Sequence, residues 1–146
     1  MDYEEINFRH TTPVQIRFND IDIFAHVNNA VIQEYFDLGR LYYLQKILEG
    51  ELKTSENTLI IASIKTDFME PVLPEDNIVV KTSVYAIGEK SLKMIQLLVD
   101  AVTGNEKAVC ESVMVAFNKK LLQSIEFPER WKNSISGFEE KVIYEK

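Results

Sequence analysis

The chain has 146 residues, enough for one domain with a proper core, and its hydrophobic fraction of 46% and charged fraction of 27% are those of a globular protein. With 16 basic and 23 acidic residues the net charge is −7, which argues against a general nucleic-acid or anionic-membrane binder, because such proteins need a basic face to displace counterions. A single cysteine, Cys110, excludes an internal disulfide and a thiolate metal cluster, and no metal site is expected.

The opening stretch MDYEEINFRH is acidic and polar, unlike a secretory signal, so a cytoplasmic location is the default expectation. Apolar and polar residues alternate over Val14–Phe18, which predicts a first strand. A helix should begin near Asn28 or Asn29 and stop at Gly50, since the stretch between lacks proline and holds good helix formers. Gly39 inside it costs about 1 kcal/mol relative to alanine, which points to close packing there. Gln33, Glu34, Asp37, Arg40 and Gln45 form a narrow polar stripe, in which Asp37 and Arg40 read as a surface or interface ion pair. Apolar residues cover most of the remaining circumference. A surface helix usually has one apolar stripe, so this helix should be wrapped, most simply by a curved sheet.

Strands rich in valine and isoleucine follow at 58–69, 77–87, 91–101 and 107–117. In the first of them Ile60, Ala62, Ile64, Thr66 and Phe68 share one face, with Ser63, Lys65 and Asp67 opposite; its apolar run LIIASI is far too short to cross a bilayer. The connectors GEK and TGNE carry turn residues, so the last three strands should form an antiparallel meander. A short helix begins at Pro128, and Trp131 should pack it onto the body. No linker divides the chain, so 1–146 reads as one α+β domain: strand, long buried helix, four strands, terminal helix.

The stretch FNDIDIFAHVNNA, at the handover from strand to helix, concentrates polar groups. In a continuing strand Asp20 and Asp22 would share a face. A loop as long as the one from Asp22 to Asn29 can also fold the Asp22 carboxylate back toward the first free N–H groups of the helix. Those groups and the helix dipole attract developing negative charge. A carboxylate beside an oxyanion site is the minimum equipment for hydrolysing an activated acyl group. Capping is the plainer reading, and it suits Asn28 or Asn29. It leaves Asp20, Asp22 and His26 without a role.

The run RFNDIDIFAHVNNAVIQEYFDLGRLYYL, residues 17–44, resembles the signature of hot-dog-fold acyl-CoA thioesterases of the 4-hydroxybenzoyl-CoA thioesterase type. It partly resembles acyl-carrier-protein thioesterases, where HVNN occurs in the same context. The resemblance implies a hot-dog fold, in which a long central helix is wrapped by a curved antiparallel sheet of about five strands. It implies a thioester hydrolase without a cofactor, working on acyl-CoA in lipid metabolism. Asp22 would be the general base or the nucleophile, and the backbone N–H of Asn29 would polarise the carbonyl. Asn29 stands where one branch has a catalytic histidine. His26 matches a histidine of the carrier-protein branch, although Phe24 stands where that branch has an active-site asparagine. Asp20 reads as a structural hydrogen-bonder.

Substrate contacts are expected from Val27, Asn28, Tyr35 and Phe36, with Ile61 or Ser63 on the second strand, although core packing is the commoner task for any one of them. Lys90, Ser91 and Lys93 in GEKSLK are the best local place for the CoA phosphates; a solvated turn is the competing reading. The resemblance also implies a homodimer or homotetramer with sheets paired edge to edge and the active site at the subunit boundary. The alternatives are an acyl-carrier-protein thioesterase and a non-catalytic acyl-CoA-binding module. A dehydratase or isomerase would need several helices before the sheet.

Overall fold

A computed structural model describes residues 3–146. Strand β1 (His10–Pro13) is followed by helix α1 (Asn29–Ile47) and a one-turn helix α2 (Glu51–Thr54). The long strands β2 (Asn57–Phe68), β3 (Ile78–Ile87), β4 (Ser91–Asp100) and β5 (Glu106–Asn118) come next. A two-residue β6 (Gln123–Ser124), helix α3 (Glu129–Phe138) and a two-residue β7 (Ile143–Tyr144) complete the chain. The strands form one sheet in the order β1-β3-β4-β5-β2, with β6 on β5 and β7 on β3. Every long pairing is antiparallel, and β3, β4 and β5 make the meander that their short connectors predict. Helix α1 lies against the concave face of this curved sheet.

Three sequence expectations need correction. The first strand is His10–Pro13, not Val14–Phe18. Val14 and Ile16 do turn toward the core, but the chain leaves the sheet after one further bond, Val14 N–H to Ile78 O at 3.2 Å. It then turns through a 3-10 segment at Phe18–Asp20, so Asp20 and Asp22 are not neighbours on a strand face. Second, a bulge between Ile61 and Ser63 reverses the alternation in β2. Leu59 and Ile61 therefore share the helix-facing side with Ile64, Thr66 and Phe68, while Ile60 joins Ser63 on the outer face.

Third, Arg40 is not at the surface. It is 3% exposed and passes under the helix to Gln96 of β4, with Nη2 donating to Oε1 at 3.2 Å, while Asp37 pairs with Nη1 from the solvent side. Gln96 in turn donates to the Phe36 carbonyl at 3.0 Å and to the Thr82 hydroxyl at 3.1 Å. This polar belt separates two apolar cores. One gathers Ile32 and Phe36 of α1 against Val80, Leu98 and Ala108. The other gathers Tyr43 and Ile47 against Leu92, Met94 and α3, where Trp131 is buried edge-to-face on Phe127. At the belt, Gly39 lets helix and sheet approach so closely that an added Cβ would lie 2.5 Å from Val80 Cγ1. The wrapping is one-sided in a single chain, because Leu41 and Tyr42 on α1 and the whole middle of β2 remain exposed.

The far edge of the sheet is closed differently. β1 covers β3 as far as Thr82, and β7 resumes at Ala86. In the gap between them Glu139, at the end of α3, accepts from the Val84 N–H at 3.0 Å, the Ser83 hydroxyl at 2.7 Å and the Tyr43 hydroxyl at 3.2 Å. The carboxylate substitutes for a missing strand. Burial nevertheless pushes its pKa above the ordinary glutamate value.

Candidate active site

The segment from Arg17 to Asn28 is organised around one buried aspartate. Asp20 accepts from the Arg17 N–H at 2.9 Å, from Arg17 Nε at 3.1 Å and from the Tyr35 hydroxyl. Burial by itself would raise the Asp20 carboxyl, but the hydrogen bonds from Tyr35 and Arg17 outweigh it and hold the pKa below the usual value. Burial, reinforced by the same carboxylate, pushes the Tyr35 phenol upward. Asp20 thus fastens the loop to α1, and its carbonyl accepts the Asn28 N–H at 3.0 Å.

The loop then makes a miniature hairpin. Ile21 and Val27 form a β-bridge, and the Asp22 N–H donates to the His26 carbonyl at 3.1 Å. Its tip turns through Ala25, whose φ of 67° lies in the left-handed region. Asp22 Oδ1 accepts the Phe24 N–H at 2.9 Å, which holds the side chain over the turn. Oδ2 lies 3.4 Å from Asn28 Nδ2. The Val27 N–H donates to Val72 O at 2.8 Å, tying the hairpin to the loop after β2.

Asn28 is the helix cap, with Oδ1 accepting the Ala30 N–H at 2.8 Å. Val31 and Ile32 donate to the Asn28 carbonyl at 3.0 and 3.1 Å. Among the described residues the Asn29 N–H is the first-turn amide left without a partner. Asn29 opens a 19-residue helix, whose positive end carries this donor, and it lines a cleft. That cleft, of about 240 Å³, is lined by His26, Val27, Asn29 and Ile32 on one side and by the run Phe68–Val72 on the other. His26 lines it with its ring stacked on exposed Phe24 at 6.2 Å.

Asp22, His26, Val27, Asn28 and Asn29 therefore come together at one helix end; His26, Val27 and Asn29 line the cleft, while Asp22 lies outside its lining, beside Asn28. The remaining expected contacts lie elsewhere. Tyr35 is turned to Asp20, and Phe36 is enclosed in the core. Ser63 stands on the outer face of β2. Lys90, Ser91 and Lys93 sit on the β3–β4 hairpin, where Lys93 pairs with Glu145 at 3.1 Å. Ser91 lies opposite Val115, whereas Phe68 at the cleft lies opposite Ala108. Those positions are seven residues apart on β5, about 23 Å along the strand. Within one chain the hairpin is at the wrong end of the sheet for the cleft.

Sequence reasoning misses the Phe68–Val72 wall, which lies some forty residues from the motif. Its local signal is the proline at 71, three residues past the end of β2 at Phe68, which leaves apolar Met69 and Val72 in a loop with nothing in the sequence nearby to cover them.

Comparison with known proteins follows the same line. Residues 16–135 match the thioesterase-like superfamily, and the chain belongs to it. Its fold is the hot-dog fold. A thioesterase from Thermus thermophilus, solved with coenzyme A and Zn, is 28% identical, with a TM-score of 0.79 over 89% of this chain and 99% of that one. The Staphylococcus aureus protein SAV2348, solved in complex with CoA, superposes with a TM-score of 0.81 at 18% identity, over 90% of this chain and 84% of that one, a likeness of fold alone. YsmA of Bacillus subtilis is 24% identical over 129 residues, 88% of this chain and 86% of that protein.

Proposed function

We propose that the chain is an acyl-CoA thioesterase whose reaction is carried by Asp22 and the Asn29 amide. The observation that carries this is the unpaired Asn29 N–H at the mouth of an apolar cleft, one residue from the asparagine that faces the Asp22 carboxylate. A thioester carbonyl oxygen placed on that N–H gains a donor that strengthens as the oxyanion forms. Asp22 takes a proton from water, and the resulting hydroxide adds to the carbonyl carbon. Collapse of the oxyanion breaks the C–S bond and releases CoA as thiolate, leaving the free acid. A thiol with a reference pKa of about 8.5 leaves without a strong general acid, so a constellation this small suffices. Asp22 as nucleophile is the other route: its carboxylate displaces CoA thiolate to form a mixed anhydride, which water then cleaves. When water attacks the Asp22 carbonyl carbon, single turnover in heavy-oxygen water puts the label on Asp22, not on the product.

Coenzyme A as the carrier is supported by the T. thermophilus relative, whose structure holds it. Two copies paired along their exposed β2 edges, antiparallel, would bring the Lys90 hairpin of one to the same end of the joint sheet as the Asp22 cleft of the other. That arrangement would supply phosphate-binding charge which a single chain keeps about 23 Å away, at about 3.3 Å per strand residue. The test is thiol release from acyl-CoAs by wild type and Asp22→Asn, with the same acyl group offered on acyl carrier protein. We expect the substitution to slow turnover by about a hundred- to ten-thousand-fold. Equal rates in the two proteins would end the role of Asp22, and a faster carrier-protein ester would move the assignment to that branch.

A further inference from the structure

Next to the cleft, between helix and edge strand, lies a polar bridge. One helical turn beyond Asn29, Gln33 reaches across from α1 to Thr66 on the helix-facing side of β2. Its Nε2 lies 2.8 Å from the Thr66 hydroxyl, and its Oε1 lies 3.1 Å from the same oxygen. Ile32 and Phe68, the near neighbours of this pair on helix and strand, are part of the apolar lining of the cleft. The pair therefore bridges helix and edge strand beside the apolar slot, one residue past Ile32 and two before Phe68. Behind it lies the polar belt, where Arg40 Nε and the Ser112 hydroxyl are buried and without a partner among the described residues. An alkyl chain pushed past Gln33 and Thr66 would break their hydrogen bonds and then lie against an enclosed guanidinium, leaving polar groups unpaired at both steps.

From this we infer that Gln33 and Thr66 form a wall that limits the acyl group to a short chain or a single ring. The inference rests on the thioesterase reading and narrows its substrate class. Its length follows from the geometry: four residues along the helix advance about 6 Å. An extended chain covers about 1.2 Å per bond, so about five carbons fit between the carbonyl at Asn29 and the wall. Acetyl, butyryl, hexanoyl and benzoyl groups meet that limit; dodecanoyl and palmitoyl groups do not.

The experiment measures kcat/KM for acetyl-, butyryl-, hexanoyl-, benzoyl-, dodecanoyl- and palmitoyl-CoA with three proteins. Wild type should favour hexanoyl over dodecanoyl by at least about tenfold, the scale on which a pocket rejects excess methylenes. The double variant Gln33→Ala/Thr66→Ala removes the wall and should raise the dodecanoyl-to-hexanoyl ratio by about tenfold, mostly through KM. Gln33→Leu/Thr66→Val keeps the bulk but removes the hydrogen bonds that an alkyl chain would have to break, so its ratio should lie between those of wild type and the alanine variant. It also shows whether a loss in the alanine variant is only poor folding, since melting curves of all three are compared. A wild-type enzyme that turns over dodecanoyl-CoA as fast as hexanoyl-CoA overturns the wall, and so does an unchanged ratio in the folded alanine variant. Should no ester be hydrolysed by wild type, the thioesterase reading itself falls and the length limit with it. Hydrolysis with no dependence on these two positions sinks the wall alone.

Discussion

Replacing Gly39 with alanine separates two effects that usually oppose each other. Alanine is better than glycine in a helix by about 1 kcal/mol, so at an open position the change would stabilise. Here the new Cβ would sit 2.5 Å from Val80 Cγ1, 3.0 Å from Val80 Cβ and 3.1 Å from Gln96 Nε2. Val80 is β-branched and fully buried, so it cannot swing aside, and the helix must lift from the sheet. Overpacking of this kind costs about 1–3 kcal/mol. Displacing Gln96 from the Phe36 carbonyl and the Thr82 hydroxyl adds about 1–3 kcal/mol for unpaired buried groups. The net expectation is a loss of about 1–5 kcal/mol, or a fall in Tm of about 2–20 °C for a domain of this size. Thermal unfolding followed by circular dichroism measures it. A double-mutant cycle with Val80→Ala makes the cause explicit, because space opened at Val80 should recover at least about 1 kcal/mol relative to additivity. A Gly39→Ala protein that melts at or above wild type, or strict additivity in the cycle, would refute the close-packing argument.

Two further outcomes are expected. The Glu139 carboxyl binds its proton more tightly in the folded chain than in the unfolded one, so its contribution to stability is complete below the ordinary glutamate pKa and is lost as pH rises through the raised folded value. Glu139→Gln keeps an acceptor for Val84 and Ser83 but cannot ionise; it should flatten the Tm-versus-pH curve above the ordinary glutamate pKa, and an unaltered slope there would show that Glu139 does not titrate in the folded chain. Second, the long exposed β2 edge should be covered by another copy. Sedimentation equilibrium should give a multiple of the 16.9 kDa chain mass, and a monomer at working concentration would remove the joint-sheet arrangement.

What can be read ahead of the structure depends on how locally each feature is encoded. The helix start at Asn28–Asn29 and the β3–β5 meander rest on caps, turns and alternation within a few residues, and both stand where expected. The hairpin that carries Asp22 is likewise contiguous, so its members can be named together. The first strand lies away from its expected place because its inward residues are His10 and Thr12, polar groups that carry no hydrophobic signal. The alternation at Val14–Ile16 reports which way side chains face, not whether the backbone is paired. Arg40 misleads for the opposite reason: a charged residue in a polar stripe reads as exposed until Gln96, 56 positions away, is seen to receive it. The bulge in β2, the Gln33–Thr66 bridge and the Phe68–Val72 wall all depend on contacts between distant segments, which periodicity cannot express.

Cys110 lies on β5 beneath the helix, without solvent access, and burial raises its thiol pKa. Alkylating and disulfide-exchange reagents attack thiolates, so the native protein should be chemically silent toward them. In a chromogenic assay every equivalent of colour then belongs to liberated coenzyme, with no protein background to subtract. A cysteine engineered onto the surface would be the sole labelling point for a fluorophore or spin probe. When the fold opens, the native sulfur becomes reactive, and the same reagent turns into a clock for unfolding.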